Sequence, residues 1–164
     1  MDSKKTNRST HFGFREVSEQ EKPSLVKDVF RSVADRYDLM NDLMSFGVHR
    51  LWKDFAVARS GVRRGHIVLD VAAGSCDLAS RFIERVGREG KVIAVDVSRP
   101  MLRRGKCRMI DAGVIENINY VLSDGENLAF ADRQFDRISI GFGLRNVTKI
   151  RSALASMFRV LRPG

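Results

Sequence analysis

Asp96 closes the apolar run Val92-Ile93-Ala94-Val95, about 20 positions beyond a turn of small residues, Ala72-Ala73-Gly74-Ser75-Cys76-Asp77. A carboxylate can accept from two vicinal hydroxyls at once, so Asp96 suits the diol of a ribose. Small side chains in the turn let a ligand approach the backbone. A helix starting there offers unpaired N–H groups and the positive end of its dipole. Turn and acid together point to a nucleoside-type ligand. Two further polar groups, Asp124-Gly125 and Arg145-Asn146, also follow apolar runs.

These groups need a scaffold. Ile67-Val68-Leu69 leads into Asp70 and reads as a strand. Leu78, Phe82, Ile83 and Val86 lie on one face of a following helix, which Gly87 and Gly90 break. Strand, turn, helix and strand over residues 66–96 form a βαβ unit, whose right-handed crossover makes the strands parallel. Ser98 is placed to N-cap a helix over 99–112, with Pro100 in its first turn and Gly113 as its stop. Residues 119–123 and 135–142 read as third and fourth strands. A last helix from Lys149 carries Ile150, Leu154, Phe158 and Leu161 on one face. In a parallel sheet the polar groups after successive strands share one edge, where ligands of α/β proteins bind.

Upstream, residues 1–9 are polar, charged and without periodicity, so disorder is expected. Thr10-His11-Phe12-Gly13-Phe14 is expected to be a docking segment rather than a core strand. From Pro23, Leu25, Val29, Val33 and Tyr37 recur every four residues, and residues 48–58 give a further helix holding the only Trp, Trp52. The Met and aromatic residues here read either as the buried stripe of helices or as a lipophilic lid. The expected organisation is a tail and docking segment over 1–22, a helical lid over 23–60 and an α/β domain over 61–164.

The chain has 164 residues, enough for one domain with a sizeable core, and a formal net charge of +9. Its apolar runs fall short of the roughly 18 residues of a membrane span, and its polar N-terminus does not read as a signal peptide. Two cysteines, Cys76 and Cys107, make no disulfide framework and suit a reducing cytoplasm. No second His or Cys stands at metal-ligand spacing from His49. Arg99, Arg103, Arg104, Lys106 and Arg108 form a basic run, read as a solvated helix face or a surface for an anionic lipid or nucleic acid. Without aromatic interleaving or an RNA-binding motif, a specific nucleic-acid partner is not expected. Gly-x-Gly-x-x-Gly is absent, which argues against a nicotinamide cofactor.

Leu69-Asp70-Val71-Ala72-Ala73-Gly74-Ser75-Cys76-Asp77, Asp96, Asp124-Gly125 and Val160-Leu161-Arg162-Pro163-Gly164 resemble a class I S-adenosylmethionine-dependent methyltransferase. Four further stretches narrow the match: residues 10–14, 37–45 (Tyr-Asp-Leu-Met-Asn-Asp-Leu-Met-Ser), 49–53 (His-Arg-Leu-Trp-Lys) and 142–148 (Phe-Gly-Leu-Arg-Asn-Val-Thr). They resemble the ubiquinone/menaquinone biosynthesis C-methyltransferases, in order, from about Thr10 to Gly164. The resemblance implies a Rossmann-like α/β fold and methyl transfer from S-adenosylmethionine to a ring carbon of a polyprenyl quinol. The implied acceptors are demethylmenaquinol and 2-methoxy-6-polyprenyl-1,4-benzoquinol. By the same resemblance Gly74 and Ser75 line the methionine side, with Asp77 in the same motif. Asp96 takes the ribose, Asp124 and Gly125 lie by the adenine, and Gly141 falls at the end of the fourth strand. Arg145 is expected to stabilise a phenolate oxygen, Asn146 to orient it and Tyr37 to donate from the lid. A bilayer-resident quinol implies a cytoplasmic protein, peripheral at the inner membrane.

Two departures from that family's pattern stand out. Cys76 occupies a position where the family has glycine; if the backbone there has positive φ, the side chain costs on the order of 1 kcal/mol or more. The family sheet has seven strands, order 3-2-1-4-5-7-6, and only strands 3-2-1-4 are expected here, as in a C-terminally truncated chain. Ile138 and Ile140 would then lie on an open apolar edge, leaving room for a protein partner or homo-oligomer. The chain alone is expected to be poorly soluble or in need of a partner, with little activity. Other readings are a methyltransferase for a different lipophilic acceptor, or a noncatalytic remnant that binds a partner or membrane.

Overall fold

Ile67-Val68-Leu69-Asp70-Val71 is apolar on both alternating faces, as a strand covered from both sides must be. The computed structural model describes residues 9–12, 15–18, 21–22, 24–25 and 48–164. In chain order it contains β1 (Ser9–Phe12), β2 (Arg15–Ser18), α1 (Val48–Arg59), β3 (Ile67–Val71), α2 (Asp77–Val86), β4 (Lys91–Asp96), α3 (Arg99–Asp111), β5 (Ile118–Leu122), β6 (Arg137–Ile140) and α4 (Ile150–Val160). Of the disordered tail expected over 1–9, residues 1–8 lie outside the described residues, while Ser9 is not part of a tail but opens β1, paired with Ser18. Tyr37 and most of the helix expected from Pro23 also lie outside the described residues.

The main sheet has the order β5-β4-β3-β6, the expected 3-2-1-4 arrangement of the four principal strands. All its ladders are parallel; Val71 pairs with Val95 and Ile140, and Asp96 with Leu122. The C-terminal ends of the strands are therefore level. Phe135, just before β6, bridges in parallel to Leu161, and the Arg162 N–H donates to the Phe135 carbonyl at 2.8 Å. That bridge extends the sheet one pairing beyond β6. β1 and β2 form a separate antiparallel ribbon, so residues 10–12 are a strand but not one of the core sheet.

Alternate residues of the strands feed two cores. On one face Val68, Val92 and Ala94 pack with Ala79, Phe82 and Val86 of α2, Val57 of α1 and Met109 of α3. On the other, Leu69, Val71, Ile93 and Val95 pack with Leu128, Phe135 and Ala153, Met157 and Val160 of α4.

Three expectations about side chains need correction. The face of α4 carrying Ile150, Leu154 and Phe158 is exposed, Phe158 at 80%. The buried stripe is Ala153, Ser156, Met157 and Val160, where small residues let the helix approach and the Ser156 hydroxyl accepts the Leu128 N–H at 2.9 Å. In α1, Leu51, Trp52 and Phe55 are exposed rather than part of a buried stripe. Ser98 does precede α3, but its hydroxyl makes no capping bond; its N–H donates to Asp96 Oδ1 instead.

Gly105 marks the tightest contact between α3 and the turn before α2. A Cβ there would stand 2.5 Å from Cys76 Sγ. Gly105→Ala is expected to cost about 1–3 kcal/mol by overpacking. In a Cys76→Gly background that cost should fall by at least half, because the sulfur is gone. Denaturant unfolding of the four chains measures the coupling, and strictly additive costs would contradict the contact.

Candidate functional site

The turn from β3 into α2 is bent by left-handed backbone. Ala72 (φ 54°), Gly74 (φ 55°) and Cys76 (φ 60°) all have positive φ. For Ala72 and Cys76 this conformation opposes folding by about 1 kcal/mol or more each. The positive φ that would make Cys76 a strained replacement for glycine is therefore present. Its side chain is buried, and burial, with Asp70 and Asp96 nearby, pushes the thiol up to about 12. It is a neutral packing group, not a nucleophile.

Hydrogen bonds hold this turn against β4. The Ala73 N–H donates to the Val95 carbonyl at 2.9 Å, and the Gly74 N–H to Asp96 Oδ2 at 2.8 Å. Asp96 Oδ1 accepts the Ser98 N–H, also at 2.8 Å. One carboxylate thus ties together the loops after β3 and β4. Burial raises it above the usual carboxylate range, while the backbone donors of Ser98 and Gly74 oppose the rise.

The loops after β5 and β6 reach the same edge. The Ser123 N–H donates to the Asp96 carbonyl, and Asp124 Oδ1 accepts the Glu126 N–H. Glu126 Oε1 accepts the Thr148 and Lys149 N–H groups at 2.9 and 2.8 Å, joining the two loops. Gly143 passes so close to the β3 turn that a Cβ would meet Ala72 Cβ at 2.4 Å. Arg145 and Asn146 sit in a 3₁₀ turn, Leu144–Asn146, Arg145 exposed and Asn146 half-buried. The structure thus brings Gly74, Asp96, Asp124, Gly125, Gly141, Arg145 and Asn146 to the C-terminal edge of one sheet, with Ser75 buried in the β3 turn.

Asp77, expected beside the ligand, is occupied otherwise. Its carboxylate pairs with Lys53 of α1 at 2.6 Å, Arg81 of α2 at 2.7 Å and Arg108 of α3 at 2.9 Å. Burial opposes its charge, but Lys53 and Arg81 hold it well below the usual carboxylate range. Its place in the first turn of α2 also favours negative charge. Asp77 therefore locks three helices together around the turn.

One acid assigned no role from sequence is Asp70. It is 1% exposed, and Oδ1 accepts from the Ser139 hydroxyl of β6 at 2.6 Å. Oδ2 has no hydrogen-bond partner among the described residues. Burial pushes the group up to about 7; Ser139 lowers it, Asp96 raises it, and the Ala79 N–H and Lys53 lower it. The available signal was an acid inside an apolar strand, between Leu69 and Val71.

Parallel strands in this order, with a small-residue turn after β3 and an acid after β4, define the Rossmann-like fold of S-adenosylmethionine-dependent methyltransferases. Solved structures agree. A SAM-dependent methyltransferase from Aquifex aeolicus superimposes with TM-score 0.60 at 20% identity, covering 90% of this chain and 69% of that one. A putative S-adenosyl-L-methionine-dependent methyltransferase from Methanococcus maripaludis gives 0.64 at 14% identity, covering 94% and 64%. Residues 15–164 match the ubiE/COQ5 methyltransferase family, and the chain belongs to that family. It is 55% identical over 156 residues to the ubiquinone/menaquinone biosynthesis C-methyltransferase UbiE of Yersinia pestis (strain Pestoides F). It is 54% identical to the protein of the same name from Yersinia enterocolitica (serotype O:8 / biotype 1B). The match covers 95% of this chain and 62% of each relative.

Asp70 gives a pH test of this geometry. Its folded value of about 7 exceeds the ordinary 3.8, so the folded chain holds the extra proton between them. The proton-linked stability is fully present below about pH 4 and lost as pH rises through 7. Asp70→Asn should therefore be more stable than the parent at pH 8, on the order of 2 kcal/mol, with the advantage shrinking toward pH 5. Thermal melts across that range check it; a pH-independent difference would contradict the buried acid.

Proposed function

We propose that the chain is a methyltransferase that uses S-adenosylmethionine to methylate a ring carbon of a polyprenyl quinol. The observation that carries this reading is the Gly74 N–H bond to Asp96, which sets a ribose acceptor directly against the small-residue turn. The residues fit the donor. Asp96 Oδ2 accepts the Gly74 N–H and Oδ1 the Ser98 N–H, and a carboxylate oxygen has capacity for a further hydroxyl. Asp70 presents a buried oxygen without a partner among the described residues. Gly74 and Ser75 would hold the methionine side, Asp124 and Gly125 the adenine, and Gly141 the wall at the end of β6. When bound, the donor supplies an electrophilic methyl group. The noncatalytic reading is not favoured, since the family match runs through all these strand ends.

The chain's own contribution is position and charge. Holding the acceptor in line with the donor supplies much of the rate. The Arg145 guanidinium stabilises a phenolate oxygen, which makes the ring carbon more nucleophilic, while Asn146 orients that oxygen. An Arg is a poor proton acceptor, so water or a carboxylate takes the hydroxyl proton.

Residues 23–60 form the lid in this reading. Leu51, Trp52 and Phe55 of α1 are exposed and offer apolar surface for the prenyl chain. Lys53–Asp77 and Asp54–Arg81 ion pairs, with buried Val57, hold α1 at α2. No helix among the described residues is long and apolar enough to cross a membrane. The exposed Arg99, Arg103 and Lys106 on α3 suit contact with an anionic membrane surface, from which the quinol would enter.

Transfer of a labelled methyl group to demethylmenaquinol or 2-methoxy-6-polyprenyl-1,4-benzoquinol tests the proposal. Asp96→Ala should weaken donor binding at least about tenfold by removing a charged acceptor of hydrogen bonds. Arg145→Ala should leave donor binding unchanged and slow transfer roughly a hundredfold. Full turnover by Arg145→Ala would remove its role. Donor binding without transfer to either quinol would overturn the acceptor assignment.

A further inference from the structure

Asp70 and Ser139 are register partners on the adjacent strands β3 and β6, so their bond is built into the sheet. The hydroxyl donates to Oδ1 at 2.6 Å, which directs the carboxylate and leaves Oδ2 as its acceptor without a partner among the described residues. A buried acid with an oxygen that has no partner among the described residues calls for a hydrogen-bond donor, preferably a cationic one. S-adenosylmethionine carries two cations, and of these only the ammonium of its amino-acid end donates hydrogen bonds.

We propose that Ser139 is a positioning residue for the methyl donor: its hydroxyl holds Asp70 as the ionised acceptor whose Oδ2 receives the donor's ammonium group. This rests on the methyl-donor reading above and assigns a role to a strand residue that does not itself touch the donor.

The groups around the carboxylate act in opposing senses. Asp96 at the end of β4 repels its charge, Lys53 of α1 attracts it, and the Ala79 N–H of α2 favours it. Cys76 in the turn stays a neutral thiol. Burial outweighs these, and Ser139 is the strongest of the influences favouring the ionised form. Without the hydroxyl the carboxyl keeps its proton to higher pH, and a protonated Asp70 is a poor seat for an ammonium.

The test compares the parent chain, Ser139→Ala and Ser139→Thr by calorimetric titration with S-adenosylmethionine at pH 6 to 8.5. Melting of the donor-free chains is followed over the same range. The ligand's own titration is common to all three. Ser139→Ala should bind about tenfold more weakly at pH 6, where the loss of the hydroxyl leaves Asp70 protonated more often, and within about twofold of the parent at pH 8.5, where Asp70 is largely ionised in both chains. Its melting deficit should run the other way, small at pH 6 and largest at pH 8.5, where the less well held carboxylate is ionised. Ser139→Thr keeps the hydroxyl and should restore both profiles.

Equal losses at every pH would show a merely structural serine and overturn the proposal, as would a Ser139→Ala chain that binds like the parent. If the folded parent binds no donor at any pH, the methyl-donor reading fails and the proposal with it. Binding by the parent with an unshifted Ser139→Ala profile overturns the proposal alone.

Discussion

A single carboxylate, Asp96, accepts the Gly74 N–H from one loop and the Ser98 N–H from another. This arrangement fixes the turn between β3 and α2, and the rest of the candidate site is placed relative to that turn. The loop after β6 lies against it where Gly143 has no Cβ, and the first residue of α2 anchors the cations of three helices. Charge-assisted bonds to backbone donors are well suited to this task, because they are short, directional and shielded from water.

The turn is held in a conformation that ordinary residues avoid. Two non-glycine residues with positive φ and a buried acid all oppose folding. Two apolar cores, one on each face of the sheet, offset that opposition. Strain and burial of this kind concentrate at binding sites, where pre-set backbone donors and acceptors meet a ligand without reorganising.

Much of this was legible in the sequence. Alternating apolar runs and glycine breaks are local signals, and right-handed crossovers turn them into the strand order seen. Asp96, Asp124 and Arg145 follow strands, so their shared edge came with the topology. Side-chain partnership was less legible. Asp77 sits in the ligand-binding motif, yet its partners Lys53 and Arg108 lie 24 and 31 residues away on other helices. In α4 the larger apolar residues mark a regular stripe, but the sheet takes the face with Ala153 and Ser156, because small side chains permit close approach. Asp70 follows an apolar run in the sequence, and periodicity has no means of telling a buried acid from the end of a strand.

Amide NMR of the chain titrated with S-adenosylhomocysteine, the demethylated donor, tests the central claim most directly. The largest shifts are expected at Gly74 and Ser98, whose N–H groups bind Asp96, and at Ala79 and Gly125. Arg103 and Lys106 on the exposed face of α3 should barely move. Saturable shifts confined to α3, with Gly74 and Ser98 unperturbed, would contradict the claim that the turn and Asp96 form the donor site.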